Sequence, residues 1–160
     1  MISLMREAYG FAWIHSHDNH TKCGALLTDE TRYPIVFGTN RYPTGFDNNK
    51  FVIDRDTKLM YIEHAERDVL YFAAKHGIKT EGLTLVAPWA CCAECARAIV
   101  LCGIKKVVAH QQAFNLTPER WRESTTAGLN VLKAGGVEYE LIDAKIGYCQ
   151  NRFDGRVWRP

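Results

Sequence analysis

Apolar and polar positions along the chain follow two rhythms in turn. Residues 2 to 15 carry apolar side chains at helical spacing, among them Met5, Ala8, Tyr9, Ala12 and Trp13, and predict a helix. Cys23 to Thr28 and Tyr33 to Thr39 read as two strands, and Asp29, Glu30 and Thr31 between them suit a hairpin loop. Asn40 to Asn49, NRYPTGFDNN, is turn-rich and reads as an exposed loop. The helical period returns from about Glu63 to His76, with Val69, Phe72, Ala73 and His76 at core spacing and Gly77 as its stop. Leu83 to Ala87 and Val107 to Ala109 are short apolar runs of the kind buried strands show, and Cys92 to Leu101 between them is helical, ending at Gly103. Thr117 is expected to cap the next helix with Pro118 at its first position. Trp121, Thr125, Gly128 and Leu132 form that helix's inner face, and Val137 to Ile142 alternates as an edge strand. After the first hairpin, strands alternate with helices. That order argues for an α/β fold, a mixed or parallel sheet between helical layers.

Length and composition narrow the class. The chain has 160 residues, 47% hydrophobic and 24% charged, the make-up of one globular domain with a full core. Residues 1–142 are expected to form it, with 143–160 as a basic tail packed on it or extending from it, carrying Arg152, Arg156 and Arg159. Twenty basic against 18 acidic residues give a net charge of +2, a weak field that argues against a polynucleotide partner and leaves room for a local phosphate pocket. No apolar run approaches the ~18 residues of a membrane span. Arg6, Glu7 and His15 interrupt the N-terminal stretch, so no signal peptide is read there and the expected location is cytoplasmic. Six cysteines in that compartment are metal ligands, reactive thiols or core residues rather than disulfides.

Chemistry concentrates in two segments, HAE (64–66) and CAEC (92–95). Cys92 and Cys95, three apart at a helix start, turn both sulfurs toward one point. A helix N-terminus favours the thiolate that binds metal. With His64 they make three protein ligands for Zn2+, and three rather than four implies a position left for water. Glu66, two residues past His64, reaches such a site as a proton carrier rather than a ligand. This is the pattern of hydrolytic deamination at an amidine-like ring carbon. Each segment alone reads equally well as two buried cysteines or a solvated helix start. The specific signal is their order: HAE, strand, proline, C-x-x-C, helix.

These segments resemble the cytidine and deoxycytidylate (dCMP) deaminases, closest to the dCMP branch, over about residues 3 to 142. TKCGALLTD resembles that branch's first strand entry, GTNRYPTG its G-Y-N-G-x-P-x-G loop, and EHAERDVLYFAAKHG its zinc helix. CAECARAIVLCGIKKVV is similar to the second zinc helix and following strand, and RWRESTTAGLNVLKAGGVEYE to the last helix and strand. The resemblance implies a cytidine-deaminase-like three-layer α/β/α sandwich with a mixed five-stranded sheet. It implies Zn2+ on His64, Cys92 and Cys95, and Glu66 as proton shuttle. It also implies that the Ala65 backbone N–H meets the pyrimidine carbonyl, that Asn40 meets the nucleotide, and that the Asn40–Gly45 loop with Lys22 surrounds sugar and phosphate. The implied activity is conversion of dCMP to dUMP and ammonia, in a homo-oligomer, often a hexamer, open to dCTP and dTTP as effectors.

Two departures stand out. Trp89, Ala90 and Cys91 intervene between Pro88 and Cys92, altering the pocket wall and putting another sulfur beside the ligands. Arg41 stands where the family motif commonly has glycine, and is read either as a phosphate fork or as a solvated loop arginine. His15, His17 and His20 around Asp18 read as a second metal site or, better, as a polar turn. Cys23 and Cys102 read as core, and Tyr42 and Phe114 as base-stacking aromatics or packing. Two alternatives stay open: another cytosine compound as substrate (CMP, modified dCMP, nucleoside or nucleic-acid base), or a zinc- and nucleotide-binding relative without catalysis.

Overall fold

A computed structural model describes residues 1–46 and 54–160, so positions 47–49 of the expected loop lie outside the described residues. Helix α1 (Ile2–His15) leads into β1 (Gly24–Thr28) and β2 (Pro34–Thr39). A short α2 (Arg55–Lys58), α3 (Ala65–Lys75), β3 (Thr84–Val86), α4 (Ala93–Leu101) and β4 (Lys106–His110) follow. Then come α5 (Gln111–Asn115), α6 (Glu119–Ala134), β5 (Glu138–Ile142), β6 (Asn151–Phe153) and β7 (Arg156–Trp158). The five-stranded sheet runs β2-β1-β3-β4-β5. β1 is antiparallel to both neighbours, while β3, β4 and β5 are parallel. The mixed sheet between helical layers is the one the pattern predicted, with β5 at an edge.

Neighbouring strand residues divide between two cores because side chains alternate across a sheet. Leu27, Leu85 and Val107 face α3, α4 and α6 with Val69, Cys95, Ile99 and Leu132. Leu26, Val86 and Val108 face α1 with Leu4, Met5, Ala8 and Tyr9. Burial on both faces explains why β1 reads as a continuous apolar run.

Two glycines set how closely the helices approach. A Cβ at Gly38 on β2 would stand 2.6 Å from the Val69 amide nitrogen of α3, and one at Gly128 on α6 would stand 2.4 Å from the Cys91 carbonyl oxygen. Their absence lets α3 seat on the sheet and α6 press against the strand-to-helix turn ahead of α4.

One sequence expectation needs correction. Pro118, with ψ of 151°, is the extended residue preceding α6, and the helix begins at Glu119, so Thr117 is not its cap position. The tail, which shows no period, forms the β6–β7 hairpin, whose three-residue strands are too short to register one. The hairpin lies back on the α1 side, where Trp158 joins the second core. Arg6 clasps the approach to it, its Nε donating to the Gly147 carbonyl and its Nη2 to that of Ile146, both at 2.9 Å. Among the described residues no helix is long and apolar enough to cross a membrane.

Candidate metal centre

Both donor segments sit where a helix starts. His64 (φ −82°, ψ 149°) and Cys92 (φ −70°, ψ 167°) are the extended residues before α3 and α4, and neither spends its side chain on a capping hydrogen bond. Cys95 lies about one turn into α4, so its sulfur faces the same point as that of Cys92. Each sulfur stands 3.5 Å from His64 Nδ1, and the three donor atoms lie within 4.8 Å of one another. Tetrahedral zinc with its usual bond lengths separates a sulfur from a nitrogen by about 3.6 Å, so the cluster has the dimensions of a zinc site.

The electrostatics agree. A hydrogen bond with Cys95 brings the Cys92 thiol down to about 3 against the opposing effect of burial, with His64 helping. That same hydrogen bond, with burial, pushes the Cys95 thiol up. Burial disfavours a charged His64, but its hydrogen bond with Cys92 and the nearby charges of Glu66 and Cys92 together raise its pKa. The cluster is thus a buried pair of sulfurs carrying negative charge, which a bound cation would neutralise.

Glu66, 6% exposed, stands in the first turn of α3, where burial raises its carboxyl pKa and His64 opposes the rise. Trp121 of α6 meets the His64 ring edge-on at 5.7 Å and restricts its orientation. Arg67 was not singled out by the sequence. Its Nη1 donates to Cys95 Sγ at 3.8 Å and to Glu94 Oε2 at 2.8 Å, and its Nε to Glu63 Oε1 at 2.6 Å. The available signal was its position right after HAE, four residues from Glu63, but that spacing equally fits a surface ion pair.

The cluster opens into a cavity of about 420 Å³. His64, Glu66 and Cys92 form one side, Asn40, Cys23 and Gly24 another, and Trp89, Trp121 and Phe153 supply aromatic walls. Lys58 and Arg120 reach its rim, each facing a carboxylate: Lys58 Nζ is 2.6 Å from Asp18, and Arg120 Nη2 is 3.8 Å from Asp154.

The other residues named from sequence divide. Asn40 lines the cavity while tying three segments: its Oδ1 accepts from the Cys23 N–H and the Ser16 hydroxyl, and its Nδ2 donates to the Thr21 carbonyl. Ala65 is buried between His64 and Glu66. Lys22, Arg41 and Gly45 do not line the cavity. Lys22 donates to the Ser16 carbonyl, Arg41 Nε donates to Asp68 at 2.8 Å, and Gly45 makes a left-handed turn with φ of 87°.

Cys91 is buried in the core beside Cys92 and outside the three-donor group. Cys23 and Cys102 pack against that core, and Tyr42 stacks on Phe46. Phe114 is half-buried on α5, away from the cavity lining. His15 is exposed, His17 Nδ1 accepts from the Tyr42 N–H, and His20 Nδ1 lies 3.7 Å from Asp154. These three do not gather: among the described residues His64, Cys92 and Cys95 are the one group of three metal-binding donors.

A histidine and two cysteines gathered at two helix starts beside a mixed sheet make a candidate zinc centre, and comparison with known proteins supplies the class, a zinc-dependent deaminase-type hydrolase. The family model for the cytidine and deoxycytidylate deaminase zinc-binding region matches residues 2–111. The chain belongs to that family. An uncharacterized deaminase from Aliivibrio fischeri is 30% identical over 142 residues, 89% of this chain and 91% of its own length. The deoxycytidylate deaminase of Mus musculus is 26% identical over 151 residues, 91% of this chain and 81% of its own. A cyanophage S-TIM5 dCMP deaminase, solved in complex with dCMP and dUMP, has the same fold, with a TM-score of 0.67, 24% identity and coverage of 88% and 94% of the two chains.

Proposed function

We propose that this protein hydrolyses the exocyclic amine of a cytosine nucleotide, converting dCMP and water to dUMP and ammonia. The observation that carries the reading is the His64–Cys92–Cys95 cluster opening with Glu66 into one cavity. Relatives named deoxycytidylate deaminase, and a fold neighbour bound to dCMP and dUMP, support the choice of substrate.

His64, Cys92 and Cys95 would hold zinc, which when bound would supply the Lewis acidity that activates water near neutral pH. Glu66, buried in the first turn of α3, would take a proton from water and give it to ring N3 as the C4–O bond forms, then take the proton of the new C4 hydroxyl and give it to the amine, which leaves as ammonia as the C4–N bond breaks. The Ala65 N–H meets the ring carbonyl, Asn40 holds the sugar side, and Trp89 and Trp121 exclude bulk water. Replacing Glu66 by alanine is expected to lower kcat at least about a thousandfold with zinc content unchanged, a loss on the scale of a positioned acid–base group. Wild-type turnover in that variant defeats the reading.

A second reading, a neutral cytosine compound such as deoxycytidine, draws on the paired rim cations Lys58 with Asp18 and Arg120 with Asp154. Separate trials of dCMP, CMP, deoxycytidine and a cytosine oligonucleotide decide between them by which compound yields uracil. On this reading residues 1–142 are the deaminase unit and 143–160 its packed extension. The active form is a cytoplasmic homo-oligomer answering to dCTP and dTTP, checked by light scattering and by effector titration.

A further inference from the structure

The family match ends at residue 111, but the cavity wall continues beyond it. Phe153, at the end of β6, lines the cavity and stacks on Trp89, with ring centroids 4.7 Å apart and planes 21° apart. Trp89 belongs to the segment standing between Pro88 and Cys92. The wall is therefore built by two parts of the chain that meet only in the fold.

The hairpin is fixed to the cavity's rim by its backbone. The Lys22 N–H donates to the Arg152 carbonyl at 2.9 Å, the Gly155 N–H to the His20 carbonyl at 2.8 Å, and the Asp154 N–H to Thr21 Oγ1 at 3.1 Å. The Asp154 carboxylate reaches His20 on one side and Arg120 of α6 on the other. His20, Thr21 and Arg120 all line the cavity. Phe153 thus stands on a strand anchored at both rims, a rigid support for a wall.

We propose that the β6–β7 hairpin sets the size of the ring the cavity admits, and that Phe153 is its specificity-determining residue, favouring a one-ring pyrimidine amine over a two-ring purine amine. The inference rests on reading this cavity as the substrate pocket. Both classes present an amine on an amidine carbon, so the same hydrolysis is open to both and selection falls to the walls. A phenyl ring is about the size of the extra ring of a purine, and a cavity-filling group of that size governs selectivity through what it displaces.

The test uses the full zinc-loaded chain with Phe153→Ala and Phe153→Leu, and Tyr148→Ala as a control in the same tail, since Tyr148 is 98% exposed. kcat/KM is measured for dCMP and dAMP, and equilibrium affinity for the products dUMP and dIMP. Phe153→Ala is expected to shift selectivity toward the purine about tenfold, through KM and product affinity rather than kcat. Phe153→Leu falls between, and Tyr148→Ala does not move it. If Phe153→Ala melts too low to assay, the Leu variant carries the test. Equal losses for both ring sizes, or unchanged product selectivity, overturn the proposal. A wild-type protein inactive on dCMP defeats the cytosine reading alone, because the product affinities still report the wall.

Discussion

The Cys92 sulfur is held as an anion before any cation arrives, and its neighbours decide how tightly it holds one. Arg67 sits behind Cys95 with its guanidinium directed at that sulfur. Losing a group that supports a metal ligand in this way costs about 10–100-fold in metal affinity. Arg67→Ala is expected to weaken zinc by that factor in chelator competition, with Arg67→Lys in between. An unchanged affinity assigns Arg67 only to its ion pairs with Glu63 and Glu94. Cys95→Ser is expected to leave the purified protein largely without zinc by elemental analysis, since a neutral hydroxyl replaces a thiolate donor. The ligand triad was legible because metal geometry demands fixed spacing, which sequence records. Arg67 was not, since a cation near acidic residues on a helix looks the same whether it faces solvent or sulfur. Arg41 was ambiguous for the same reason, and its partner Asp68 stands 27 positions away.

Helices and strands were legible where apolar positions mark them. α1, α4 and α6 follow their apolar period, while on α3 Val69 and Ala73 are buried as expected but Phe72 and His76 are exposed; β6 and β7 escaped notice because, unlike the equally short β3, they carry no apolar run. Close approach was only partly legible: the period places Gly128 on the inner face of its helix, but not how tightly it presses on the Cys91 carbonyl, whereas a Cβ at Gly10 would meet nothing within 4 Å. The two are expected to respond in opposite directions. Gly10→Ala, inside α1, should stabilise the fold by about 0.5–1 kcal/mol through helix propensity. Gly128→Ala should destabilise it by about 1–3 kcal/mol and loosen zinc, because α6 must back away from the turn carrying Cys92. Urea unfolding of both variants, with zinc content alongside, checks the pair.

Across the whole molecule, α1 and the C-terminal tail are joined on one face of the sheet through His110 at the end of β4. Burial lowers its pKa, and the Ala144 carbonyl and Asp143 only partly oppose this. The Tyr9 hydroxyl lies 2.9 Å from Nδ1 and the Ala144 carbonyl 3.0 Å from Nε2, an arrangement made by a neutral ring donating from Nε2. The unfolded chain therefore binds this proton more readily than the folded one. His110 costs no stability above its unfolded pKa of about 6.5, and stability falls as pH drops below that value. Denaturation midpoints taken from pH 7.5 to 5 should show the fall, and His110→Gln should flatten it. An equal slope in both proteins excludes His110 as its source.

The clasp of α1 by the tail also bears on how the molecule is made. Arg6 waits 140 residues of synthesis for the Ile146 carbonyl it will hold. The zinc donors are complete at Cys95, long before Phe153 leaves the ribosome. A nascent chain thus displays its thiols to the cell's metal supply while one side of the pocket is still missing, and the last hairpin closes over a centre already able to fill. Contacts so distant in sequence form late.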